Sequence, residues 1–107
     1  MSKGNNTTET QKTINEWAVA TFGSPTPTRS IKRMIEEVME LEEVCDSNDI
    51  NDTGKVANEC ADILITLYQV ASTFRFDLHG AVDSKMQINR ARKWKIAGDG
   101  TGQHIKE

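Results

Sequence analysis

The chain has 107 residues, of which 36% are hydrophobic and 27% are charged, so it has room for one small globular domain. Its net charge of -3 and pI near 5.4 provide no positive field of the kind that binds nucleic-acid polymers. The longest uncharged stretch, residues 63–74, is too short to span a bilayer, and residues 1–8 lack the apolar segment of a signal peptide. We therefore expect a cytoplasmic protein that binds neither a membrane nor a nucleic-acid polymer.

Hydrophobic residues recur at helical spacing in four segments, and no segment alternates in the manner of a strand. Short polar, glycine- or proline-containing links separate the segments. This pattern predicts an all-α fold, an antiparallel four-helix bundle in which the third helix is the central one. The predicted helices span about residues 8–22, 28–45, 55–76 and 81–95.

The ends of the chain are predicted to lie outside the helical domain. Residues 1–7 are polar and are expected to be disordered, with Thr7 or Thr8 as the cap of the first helix. A single helical domain is expected over residues 8–96. The glycine-rich segment GDGTG predicts an irregular tail over residues 97–107.

Two cysteines, Cys45 and Cys60, fall at apolar positions of the predicted helices. No further cysteine or histidine stands at metal-ligand spacing from them. We therefore expect buried free thiols rather than a disulfide or a zinc site.

Two acidic clusters carry the main chemical signal of the sequence. The segment EEVME contains Glu36, Glu37 and Glu40, and the segment ECAD contains Glu59 and Asp62. Residues three apart lie on neighbouring turns of one helix face, so each segment presents a pair of carboxylates that can bind one cation. An all-oxygen ligand set without imidazole or thiolate favours Mg²⁺ or Mn²⁺ over zinc or copper.

The two clusters differ in how strongly the helical pattern supports a site. The acids of the third helix begin a narrow polar stripe between apolar neighbours, which is typical of a lined cleft. On the second helix Glu37 borders the apolar stripe, whereas Glu40 lies further round the helix, and a solvated acidic face is the alternative there. The stripe consists of Glu59, Asp62, Thr66, Gln69 and Thr73.

Cations and an aromatic residue offer contacts for a phosphorylated molecule. Lys85, Asn89 and Arg92 form one polar line on the fourth helix, and cations near an acidic metal site suggest a polyphosphate ligand. The alternative is a solvated basic helix end. A tryptophan at such a position is most often a core residue, yet Asn15 and Trp17 could place an amide and an aromatic face beside a base.

The order of these motifs resembles that of the MazG-like all-α nucleoside triphosphate pyrophosphatases. EEVME is followed after 18 residues by ECAD, and then by the line of Lys85, Asn89 and Arg92 before Trp94. The resemblance extends from about Ile14 to Trp94. It is greatest with the short single-domain forms found in phages and mobile elements.

The resemblance implies hydrolysis of a nucleoside triphosphate to a monophosphate and pyrophosphate, with Mg²⁺ as cofactor and Mn²⁺ as a possible substitute. It also implies a homodimer or homotetramer in which helices of more than one chain complete the site. Glu36 would be an additional acid that shares the metal or activates water. The implied metal ligands are Glu37, Glu40, Glu59 and Asp62, and the implied phosphate-binding residues are Lys85, Asn89 and Arg92.

Two other interpretations stay open at this point. Abundant apolar helical surface in a short chain is compatible with a non-enzymatic helical interaction module. The same fold could also hydrolyse a non-nucleotide pyrophosphate. Spacing alone identifies neither the base, nor the sugar, nor the phosphorus atom that reacts.

Overall fold

The computed structural model describes residues 8–24, 26–47 and 52–106. Within these ranges the chain forms four helices and then a small two-stranded sheet, so the predicted all-α fold class is confirmed. The predicted disorder of residues 1–7 falls outside the described residues, and the single-domain organisation over residues 8–96 stays a prediction. The elements are α1 (Gln11–Phe22), α2 (Pro27–Asp46), α3 (Thr53–Thr73), α4 (Leu78–Ala91), β1 (Trp94–Ile96) and β2 (Gly102–His104).

Helix α1 begins later than predicted, because Thr10 caps it rather than Thr8. Thr7, the other predicted cap, lies outside the described residues. The Thr10 hydroxyl accepts a hydrogen bond from the backbone N–H of Thr13 at 3.2 Å. In return, the Thr13 hydroxyl accepts one from the backbone N–H of Thr10 at 2.8 Å. This reciprocal capping box satisfies two backbone donors that would otherwise lack partners at the helix start.

Helix α2 begins and ends within one residue of its predicted bounds. The Thr26 hydroxyl accepts a hydrogen bond from the backbone N–H of Arg29 at 3.3 Å. Pro27 occupies the first helical position, where its fixed φ suits the helix and its missing N–H costs nothing.

Helix α3 contacts each of the other three helices, as expected of the central element. The Asp52 carboxylate caps its start by accepting from the backbone N–H of Lys55 at 3.1 Å. Its end comes three residues before the predicted Phe76, because Arg75 adopts a positive φ of 63° that a helix cannot contain. The buried hydrophobic residues among those described are Ala71 of α3 and Ala18 of α1.

Helix α4 is displaced relative to its prediction at both ends. Asp77 starts it at Leu78 by accepting from the backbone N–H of Gly80 at 2.9 Å. Arg92, with φ -82° and ψ 156°, has extended geometry and ends it at Ala91, four residues before the predicted Lys95.

The predicted irregular tail is wrong where the chain forms an antiparallel hairpin. Trp94 of β1 lies opposite His104 of β2, and their rings are 5.9 Å apart. The glycines of GDGTG close the turn, since Gly98 and Gly100 have φ values of 97° and 94°. The segment that marks an end to helix therefore also builds a defined turn.

Many large hydrophobic side chains stay exposed on this fold, particularly on α1, α2 and α4. The prediction of buried thiols is wrong for the same reason: Cys45 and Cys60 are both exposed, although neither forms a disulfide. The rest of the described chain covers only part of the apolar helix faces on which they lie. Among the described helices, none is both long and apolar enough to cross a membrane.

Candidate functional site

Three carboxylates from two helices converge between α2 and α3. One oxygen from each of Glu37, Glu40 and Glu59 lies within 4.8 Å of the other two. Glu37 is buried, Glu59 is half-buried and Glu40 is exposed. Glu40, which helical geometry alone leaves outside, reaches the group because α3 packs against that side of α2.

Glu59 lies in an environment that disfavours the ionised form of its carboxyl. Its Oε2 atom is buried and has no hydrogen-bond partner among the described residues. Desolvation, followed by the neighbouring Glu40 and Glu37 carboxyls, raises the pKa of Glu59 to about 6. An unpartnered oxygen among crowded carboxylates suits a divalent cation, which would supply both the missing contact and the opposing charge.

Arg33 holds the buried carboxylate of this group from the side. Its Nη2 lies 3.1 Å from Glu37 Oε1, and its Nη1 lies 3.8 Å from Glu36 Oε2. Glu36 is exposed and is not one of the three clustered acids. The structure therefore links Glu36 to the cluster through Arg33 rather than placing it inside.

A cavity of about 480 Å³ opens beside the carboxylates. The third helix lines it with Asp62, Thr66 and Gln69, three members of the polar stripe. Asp62 thus faces the same cavity as Glu37 but is exposed and outside the group of three clustered oxygens. The complete lining is Trp17, Phe22, Arg29, Ser30, Arg33, Glu37, Asp62, Ile65, Thr66 and Gln69.

Aromatic side chains form another part of the cavity wall. The rings of Trp17 and Phe22 meet edge to face, with centroids 5.3 Å apart and planes at 85°. Trp17 is about half exposed, and it also lines a second cavity of about 420 Å³. Asn15, the other residue predicted at the base, is half-buried and lines neither cavity.

The predicted phosphate-binding line on α4 is not brought to these cavities. Lys85, Asn89 and Arg92 are absent from both linings. The Oδ1 atom of Asn89 is buried and has no hydrogen-bond partner among the described residues. Its backbone carbonyl accepts a hydrogen bond from Trp94 Nε1 at 2.8 Å, which ties the hairpin to α4.

Sequence reasoning missed two arginines of α2 that the structure places in the wall. Arg29 and Arg33 both line the cavity. The signal was present, because Arg29, Arg33 and Glu37 follow at intervals of four residues and so share one helix face. From the sequence alone, these arginines could not be distinguished from the charged residues of a solvent-exposed helix face.

Known proteins resemble the chain over most of its length. No model of a protein family matches it. A dATP/dGTP diphosphohydrolase of Salmonella phage PMBT28 is 36% identical over 97 residues, which are 91% of this chain but 31% of that longer protein. A dATP/dGTP diphosphohydrolase of cyanophage S-2L is 31% identical over 97 residues, which are 91% of this chain and 86% of that protein.

A solved structure resembles the fold as well. It is the cyanophage S-2L MazG-like pyrophosphohydrolase bound to dGDP and three catalytic Mn²⁺ ions per active site. The two structures match with a TM-score of 0.72 and 31% identity, over 91% of this chain and 90% of the other. Together with the acidic cluster and the adjoining cavity, this agreement in sequence and fold establishes that the chain belongs to the MazG-like pyrophosphohydrolases.

Proposed function

We propose that the protein is a Mg²⁺-dependent pyrophosphohydrolase that converts a nucleoside or deoxynucleoside triphosphate and water into the monophosphate and pyrophosphate. The observation that carries this proposal is the group of Glu37, Glu40 and Glu59 beside a cavity with an aromatic wall. Both curated relatives are named dATP/dGTP diphosphohydrolases, so purine deoxynucleoside triphosphates are the first substrates to test.

The three clustered carboxylates would hold the divalent cation, with Asp62 as a further ligand. The related cyanophage enzyme binds three Mn²⁺ ions per active site, in line with Mn²⁺ as a substitute for Mg²⁺. A bound cation supplies charge neutralisation of the phosphates and lowers the pKa of a bound water. Glu36, next to the cluster on α2, is proposed as the additional acid for metal or water.

The chain's own cavity residues would fix the nucleotide. Trp17 offers an exposed aromatic face on which a base can stack. Asn15 lies on α1 outside both cavity linings and is kept as a proposed contact to the base or sugar. The α4 residues Lys85, Asn89 and Arg92 would contact phosphates in the cavity of a second copy. This assignment requires the proposed homodimer or homotetramer.

Exposed apolar side chains on α4 support such an assembly. Val82, Met86 and Ile88 are each more than one-third exposed, because α4 contacts the rest of the chain only sparsely. Covering them with a second copy would remove apolar surface from water. Cytoplasmic location and the absence of binding to nucleic-acid polymers stay predictions.

The two alternatives from the sequence are less well supported. A purely structural bundle gives no reason for the unpartnered Glu59 oxygen among three carboxylates. A non-nucleotide pyrophosphate gives no reason for the exposed Trp17 in the cavity wall. Hydrolysis of a nucleotide accounts for both features.

The test is pyrophosphate release from a panel of the common nucleoside and deoxynucleoside triphosphates with Mg²⁺. We expect the wild-type protein to release pyrophosphate and the Glu59→Gln variant to lose roughly a hundredfold or more in rate, since metal charge stabilisation amounts to several kcal/mol. Glu42→Gln is the matched control, because Glu42 is exposed on α2 outside the cluster. Inactivity of the wild type over the whole panel, or full activity of Glu59→Gln, would contradict the proposal.

A further inference from the structure

We infer that Arg33, with Arg29 one turn before it, binds the phosphates of the substrate while Arg33 retains its ion pair with Glu37. The inference rests on the proposed function and deepens it, because it assigns the phosphate contacts that a single chain supplies. The α4 contacts of the proposed function come from a second copy, whereas these contacts come from α2 of the same chain.

Position is the first argument. Arg29, Arg33 and Glu37 stand four residues apart, and all three line the same cavity. The aromatic wall with Trp17 belongs to that cavity too. A nucleotide that stacks on Trp17 and directs its phosphates towards Glu37 therefore lies in a space bounded by both guanidinium groups.

Charge is the second argument. The clustered carboxylates and Asp62 repel a polyphosphate, so cations are needed beside them. In the linings formed by the described residues, Arg29 and Arg33 are the cations of this cavity. Arg29 has no ion-pair partner among the described residues, so its charge is not already compensated there.

The donor geometry of Arg33 is the third argument. Its contact of 3.1 Å with Glu37 engages Nη2, and its contact with Glu36 is long at 3.8 Å. The side chain is 68% exposed, so most of its five N–H donors still face solvent or the cavity. A guanidinium can thus hold Glu37 and a phosphate oxygen at once, which the single ammonium of lysine does poorly.

The experiment is calorimetric titration of the full chain in Mg²⁺ with dGDP and, separately, with deoxyguanosine, which lacks phosphates. We expect Arg33→Gln to weaken dGDP binding by about tenfold or more, as for the loss of a charge-assisted hydrogen bond, and to leave deoxyguanosine binding within about twofold. Arg33→Lys retains the charge but not the two-sided contact, and we expect it to weaken dGDP binding several-fold. Arg29→Gln should have a smaller effect of the same kind.

Lys32→Gln is the matched control, because it removes the same charge from the adjacent exposed residue of α2, which lies outside the cavity lining. Circular dichroism verifies that each variant folds. Equal dGDP affinity in wild type and Arg33→Gln, or a parallel loss of dGDP and deoxyguanosine binding, would overturn the inference alone. Inactivity of the wild-type protein over the whole nucleotide panel would overturn the proposed function and, with it, the inference.

Discussion

The unit of α1, α2 and α3 differs from α4 in how much of its surface the same chain covers. Each of the first three helices contains buried residues, including Ala18, Glu37 and Thr66. Helix α4, whose residues are all described, contains none. The carboxylates and the cavity belong to α1, α2 and α3, which we call the covered unit. The cations predicted from the sequence to bind phosphate belong instead to α4 and its C-terminal end.

This difference indicates that the carboxylate group and the cations of α4, the two halves of the predicted site, differ in whether they need a second copy of the chain. One chain suffices to bring Glu37, Glu40 and Glu59 together. The exposed apolar residues of α4 are instead consistent with a helix that a second copy completes. Variants that act on only one half can therefore separate metal binding from assembly.

The largest effect in this comparison is expected from Met86→Glu, which places a charge on the apolar side of α4. We expect a monomer and a loss of about tenfold or more in pyrophosphate release, because α4 would no longer supply charge-assisted contacts to a partner. Light scattering after size-exclusion chromatography measures the mass. Gln87→Glu is the control, because Gln87 is exposed and lies about 100° around the helix from both Met86 and Ile88. An assembled, fully active Met86→Glu protein would exclude α4 from the interface.

A smaller effect is expected from Trp17→Ala, which alters only the cavity of the covered unit. Loss of stacking on a base should weaken nucleotide binding by about tenfold, whereas binding of inorganic pyrophosphate should change by less than about twofold. Titration with both ligands measures this difference. Val19→Ala truncates another exposed residue of α1 outside both linings, and equal losses for nucleotide and pyrophosphate would exclude base stacking on Trp17.

The bounds of α2 and α3 were close to their predictions because caps and breaks such as Thr26 and Asp52 act locally. The site was less predictable, since the face that Glu40 presents depends on the helix that packs beside α2. Arg29 and Arg33 were missed for the same reason. A charged residue of a helix becomes a site residue only when a neighbouring element closes a cavity over it.

The hairpin shows a different limit of sequence reasoning. Its two strands have three residues each, which is too short for an alternating pattern to be detected. The glycine-rich segment predicts an irregular tail, whereas the positive φ values of Gly98 and Gly100 form a tight turn. Composition therefore located the break correctly but not the structure that follows it.

Gln11→Ala tests how the covered unit is joined to the segment that leads into α4. The Gln11 side chain accepts from the backbone N–H of Leu78 at 2.9 Å and donates to the carbonyl of Phe76 at 2.8 Å. We expect the free energy of unfolding to fall by about 1–2 kcal/mol, measured by urea denaturation. Lys12→Ala is the exposed control, and an equal stability of both variants would exclude this role.

The smallest effect concerns pH in buffer that contains a metal chelator. The pKa of Glu59 is raised from 4.5 to about 6, so the folded state binds this proton more tightly than the unfolded state. Wild-type stability relative to Glu59→Gln should therefore fall as the pH rises from about 4.5 through about 6, and then stay constant. Urea denaturation of both proteins on either side of this pH window measures the difference in their free energies of unfolding. A difference that does not depend on pH would contradict the raised pKa of Glu59.

The most direct test of the metal site is a calorimetric titration of Mn²⁺ into the wild-type chain and into Glu59→Gln at neutral pH. The buried Glu59 oxygen and its two carboxylate neighbours predict saturable binding by the wild type. They also predict a loss of at least about tenfold in affinity in the variant, because a neutral amide replaces an anionic ligand. Absence of saturable binding in the wild type, or equal affinity in both proteins, would contradict the assignment of Glu37, Glu40 and Glu59 as a metal site.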